Sequence, residues 1–80
     1  LSHEEKKEIA REEKNAKKRI EEVEAKIDVL EKAQKLLEEK MAVNASEEMY
    51  AEYQKNAKEL EQVVEKWEAM QMEYEEKFVG

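Results

Sequence analysis

The chain has 80 residues, 46% of them charged, with 22 acidic and 15 basic side chains, no cysteine, no proline, and a single glycine at the last position. That length allows one small domain. The missing cysteine removes any disulfide framework or thiolate metal site and fits a reducing compartment. No run of 18 apolar residues offers a membrane span. Strands and tight turns draw on Gly, Pro and Asn-Gly, which are all but absent, whereas Ala, Glu, Lys, Leu, Met and Gln are abundant and favour helix.

In chain order, Leu1-Ser2-His3-Glu4 has no apolar core of a signal peptide. A start at Leu rather than Met leads to the expectation of a piece excised from a larger protein. Ser2 is suited to cap a helix, with Glu5 three residues on to complete a capping box. Nothing forces a stop before Asn44, so a first helix is expected over about 3–43. Its apolar side chains recur in steps of three and four. With Ile20 as heptad position a, the a series is Lys6, Glu13, Ile20, Ile27, Gln34 and Met41. The d series is Ile9, Ala16, Val23, Leu30 and Leu37. The seam is continuous from 16 to 41 except at Gln34, and weak before 16.

A break at 43–46 follows, with Ser46 as a second N-cap and Glu47 and Glu48 in the first turn of a helix expected over about 47–78. Its seam reads Tyr50, Tyr53, Ala57, Leu60, Val64, Trp67, Gln71, Tyr74 and Phe78. Two mirrored seven-residue patterns about one short break predict an all-α fold, a two-helix antiparallel coiled-coil hairpin forming one domain over 1–80. The pairing places Met41 by Tyr50, Leu37 by Tyr53, Gln34 by Ala57, Leu30 by Leu60, Ile27 by Val64, Val23 by Trp67, Ile20 by Gln71 and Ala16 by Tyr74. Ile9 has no partner in this register, so residues 1–12 form an extension that is either straight or folded back. A chain of this size buries little core and depends on partners or parent domains for stability.

Two apolar stripes flank the seam: Val29, Leu36 and Val43 on the first helix, and Met49, Val63 and Met70 on the second. They form either a face for docking a partner, including a second copy, or a wide core. Catalysis finds no support, because the one histidine, His3, lies near a terminus with no nucleophile or second metal ligand placed beside it. No cofactor is expected, and the domain itself is expected not to be an enzyme. Trp67 reads as a core aromatic whose N–H reaches an acceptor at the interface edge, and the Met residues as gap fillers.

Charge is uneven. Residues 1–43 carry 11 basic and 12 acidic groups, and residues 44–80 carry 4 and 10, giving −1 and −6 within a total of −7. The acidic second half argues against nucleic-acid binding over the whole surface. Lys7, Arg11, Lys14 and Lys18, at steps of 4, 3 and 4, share one outward stripe, with Lys17 and Arg19 beside it. Such a stripe either tracks phosphates or is a solvated face, since Glu4, Glu8, Glu12 and Glu21 are interleaved. No aromatic lies next to it, so a contact there would read backbone rather than sequence.

The opening Leu1-Ser2-His3-Glu4-Glu5-Lys6-Lys7-Glu8-Ile9 resembles the Leu-Ser-aromatic-Lys-Glu start of the C-terminal coiled-coil domains of Uup-type ABC-F ATP-binding proteins. Ile20-Glu21-Glu22-Val23-Glu24 is similar to that family's Ile-Glu-x-Leu-Glu. Asn44-Ala45-Ser46 and the later Lys58-Glu59-Leu60-Glu61 and Glu65-Lys66-Trp67-Glu68 resemble its turn and second helix. The chain departs from the pattern at His3, where the family has Tyr or Phe, and at Lys66, where it has Arg. The resemblance implies a cytoplasmic tail behind two ATPase cassettes, an antiparallel hairpin, and engagement of DNA or ribosomal RNA.

Overall fold

A computed structural model describes all 80 residues as a rod of 63 × 15 × 15 Å. It holds two antiparallel helices, α1 (His3–Val43) and α2 (Glu47–Tyr74), followed by a π-helical turn over Glu75–Val79. A 41-residue helix is about 61 Å long at 1.5 Å per residue, so α1 alone accounts for the length of the rod. Residues 3–11 continue α1 straight past the end of its partner; they do not fold back. Ile9 is accordingly 42% exposed.

Local capping sets the helix ends. Ser2 Oγ accepts the Glu5 N–H at 3.2 Å, and its hydroxyl donates to the Glu5 carboxylate at 3.2 Å. At the turn, Asn44 is extended (φ −157°, ψ 94°) while its N–H still donates to the Lys40 carbonyl, closing α1. Ser46 is extended as well, and its Oγ accepts the Met49 N–H at 3.2 Å. No residue adopts a positive φ, so the chain reverses without glycine: two extended residues do what a left-handed one does elsewhere. Lys40 in the last turn of α1 and Glu47 and Glu48 in the first turn of α2 complement the two helix dipoles.

Between the helices, α1 presents the expected seam: Ala16, Ile20, Val23, Ile27, Leu30, Gln34, Leu37 and Met41 are all buried or half-buried. On α2 Tyr53, Leu60, Trp67 and Tyr74 hold their expected places, and the alternate positions shift back by one residue. The line runs Met49, Tyr53, Asn56, Leu60, Val63, Trp67, Met70 and Tyr74, again in steps of four and three. Val63 is the most buried residue of α2, at 9% exposure, while Tyr50, expected inside, is 53% exposed. Ala57, Val64 and Gln71 lie half-buried at one edge. This corrects the docking face read from the sequence. Met49, Val63 and Met70 belong to the interface and only Val29, Leu36 and Val43 remain outside.

Asn56 enters the interface in place of Ala57 because its amide is satisfied there. Its Nδ2 donates to the Gln34 Oε1 at 2.6 Å and to the Leu30 carbonyl at 3.1 Å. Gln34, a gap in the apolar seam, therefore has a polar partner across the helix pair, and one hydrogen-bonded layer sits among apolar ones. Such a layer disfavours slipped registers, which would bury both amides unpaired.

The π turn answers a phase problem. After Tyr74 the next seam position falls on Lys77, and the apolar residue is Phe78. In a continued α-helix Phe78 would lie about 40° past Tyr74, on the Gln71 edge. The wider turn, closed by Gly80 N–H donating to the Glu75 carbonyl at 2.6 Å, rotates each residue by less. Phe78 swings back toward Met70, its ring 5.2 Å from that of Tyr74. Together with Ile20 these residues line an open groove of about 200 Å³ at the base.

Two consequences are measurable by urea unfolding followed by circular dichroism. Val63→Ala should cost about 1.5 kcal/mol and Val64→Ala about half as much; equal losses would restore the seam read from sequence. Asn56→Ala should cost about 1 kcal/mol by leaving Gln34 unpaired, whereas leucine at both positions should raise stability while loosening the register.

Candidate nucleic-acid interface

The basic stripe lies on the outward face of α1, at the base of the hairpin. Lys7 to Lys18 covers twelve residues, about 16 Å of helix, and Lys7, Arg11, Lys14 and Lys18 are all exposed. Part of the stripe stands on the overhang, where α2 does not reach.

The interleaved carboxylates do not close on these four cations. The ion pairs of the molecule are Lys17–Glu13 at 3.8 Å, Lys26–Glu59 at 3.7 Å, Lys32–Asp28 at 2.8 Å and Lys77–Glu12 at 3.3 Å. None involves Lys7, Arg11, Lys14 or Lys18. Glu12 instead reaches across to Lys77 at the end of α2, and Glu13 accepts the Tyr74 hydroxyl at 2.8 Å. Two carboxylates of this stretch are thus turned toward the helix interface. Residues 7–19 hold six basic and three acidic side chains, a local +3 on a chain of −7. The N-terminus of α1, the positive end of its dipole, lies at the same end of the rod.

Lys17 and Arg19 have other surroundings. Lys17 Nζ lies 6.0 Å from the centre of the Tyr74 ring, and Arg19 borders the base groove with Glu73. The Tyr74 hydroxyl first, and the Glu13 carboxylate after it, hold the Lys17 ammonium above the usual lysine range. The Tyr74 phenol is raised above its ordinary value, mainly because it donates to the Glu13 carboxylate and secondarily by burial. Both shifts favour the forms present at neutral pH. Their contribution to stability is whole below the ordinary phenol value of about 10 and is lost as pH rises through the higher folded values.

Three aromatic residues seven or fourteen positions apart hydrogen-bond to carboxylates on α1. Tyr53 donates to Glu38 at 3.1 Å, Trp67 Nε1–H to Glu24 at 3.2 Å and Tyr74 to Glu13 at 2.8 Å. Trp67 thus has the edge acceptor expected of it. The three glutamates carry no signal of this in the sequence, where they are indistinguishable from the many solvated ones. His3 is exposed, and no group of three or more His, Asp or Glu is placed to hold a metal ion. No helix is long and apolar enough to cross a membrane.

In an alkaline titration followed by phenolate absorbance, Tyr74→Phe should remove a late phase lying above the ordinary phenol value of about 10. The same substitution should flatten the fall of helicity above about pH 10; an unchanged late phase would assign the raised phenol elsewhere. No protein-family model, no curated protein and no solved structure matches this chain.

Proposed function

We propose that the chain is a noncatalytic helical-hairpin domain that helps an ABC-F-type ATPase engage nucleic acid, on DNA or on the ribosome. The observation that carries this reading is the stripe of four exposed cations without carboxylate partners on an otherwise acidic chain. The turning of Glu12 and Glu13 toward α2 leaves Glu8 as the one carboxylate of residues 7–18 on the outer face with the basic groups. The family likeness at Leu1–Ile9, Ile20–Glu24 and Glu65–Glu68 supplies the ATPase context and the cytoplasmic setting, and parent ATPase domains as neighbours.

The mechanism is electrostatic. A straight helix with cations every three or four residues lays ammonium and guanidinium groups along a phosphate backbone and displaces its condensed counterions. No base-stacking aromatic stands beside the stripe, so the contact reads backbone shape and not base sequence. The acidic face of α2 repels phosphates and confines contact to the outer face of α1. In this reading the rod is an arm: its base carries the charges and its length carries the tip away from them.

Titration of labelled duplex DNA and of structured RNA checks this. Four phosphate contacts predict a loss of affinity of about 100-fold between about 50 and 200 mM salt. Reversing two charges, Lys7→Glu with Lys14→Glu, should abolish binding at low salt while leaving helicity intact. Unchanged affinity of that variant would remove the stripe from the site, and no binding of either ligand by the unaltered chain would remove the nucleic-acid reading.

A further inference from the structure

The hairpin leaves one apolar stripe without a partner. Val29, Leu36 and Val43 lie seven residues apart on the flank of α1 and are 64%, 52% and 88% exposed. Ala33, at helical spacing from Val29 and Leu36, keeps the surface between those two low. The stripe occupies the tip half of α1, whereas Lys7–Lys18 occupies the base half. At 6684 Å² the chain exposes far more surface than the roughly 5,000 Å² of a compact globule of 9.5 kDa.

We propose that this stripe is a homodimer interface in which two hairpins pack tip-half against tip-half, antiparallel, about a two-fold axis at Leu36. The occupant is named by charge. Antiparallel pairing about Leu36 sets Leu36 on its own copy and Val29 on Val43, twice. On one border of the stripe stand Lys32 and Glu39, and the two-fold brings each Lys32 to the other copy's Glu39. On the other border Ala33 comes to Lys40, and α1 ends before it can set a residue against Lys26. No like charges are opposed at matched border positions. The outward ends are free to pair: Lys32 holds Asp28 at 2.8 Å yet stays 77% exposed, and Glu39 has no ion pair.

A two-fold interface must be self-complementary, and a stripe whose apolar centre and whose Lys32–Glu39 border both map onto themselves under reversal meets that condition. The patch is short, below a standard interface in area, so the dimer is weak and concentration-dependent. This inference uses none of the residues of the proposed nucleic-acid face, and either can fail alone.

Sedimentation of the 80-residue chain from about 5 to about 500 µM should show mass rising from monomer to dimer. Leu36→Glu should hold it at monomer with unchanged helicity, as expected for a half-exposed position. Lys32→Glu alone and Glu39→Lys alone should each weaken association about tenfold, and the two together should restore it. Val29→Cys mixed with Val43→Cys should cross-link between copies. A monomer at every concentration, a dimer indifferent to Leu36→Glu, or a double swap as weak as either single one would overturn the proposal.

Discussion

A pair of helices has a single shared interface, and every apolar side chain either reaches it or stays wet. This constraint governs the molecule. It explains why only Ile20, Leu30, Leu37 and Val63 are buried, each still 7–9% exposed, and why α2 settles with Val63 inside and Tyr50 half in water. It also explains the π turn: with no third element to cover Phe78, the chain rewinds its last turn to bring the ring back to the seam. Where the constraint cannot be met, at Ile9 and along Val29, Leu36 and Val43, apolar surface is left on the outside.

Within that frame the polar groups have distinct roles. The Gln34–Asn56 layer lies inside the pair and selects one register. The Tyr53, Trp67 and Tyr74 hydrogen bonds to Glu38, Glu24 and Glu13 lie at its border and let large aromatics pack with their polar atoms satisfied. At the base these same bonds draw carboxylates away from the outer face of α1, so packing on one side of a helix shapes the electrostatics of the other. The basic half and the apolar half of α1 do not overlap, and one helix can serve two partners.

Much of the architecture was legible in the sequence. Both caps, the turn at 44–46, the length of α1 and its seam follow from residues whose chemistry has one structural use. Half of the α2 seam, Tyr53, Leu60, Trp67 and Tyr74, followed as well; the alternate positions did not, because their alternatives are adjacent and similar: Met49 beside Tyr50, Val63 beside Val64. At 56–57 the apolar rule favours Ala57, yet Asn56 enters because two acceptors await it on α1, and acceptors on another helix leave no mark on the local pattern. The displacement moved half of the supposed docking face into the core. The basic stripe was legible as charge alone; that Glu12 and Glu13 face away from it depends on Lys77 and Tyr74, some sixty residues further along.

The rod shape has a consequence for how the molecule comes apart. Each layer of the seam touches only the layers above and below it, so the pair behaves as a zipper more than as a globule. Its two ends are unequal. The tip is closed by a three-residue link that holds the strands of the zipper together at no further cost in chain entropy. The base has no link, only the Tyr74 and Phe78 rings and the Glu12–Lys77 pair. Opening therefore starts at the base and runs toward the tip, and its first stages release Glu12 and Glu13 from α2. The charge presented by the outer face of α1 is in this way tied to how far the zipper is closed.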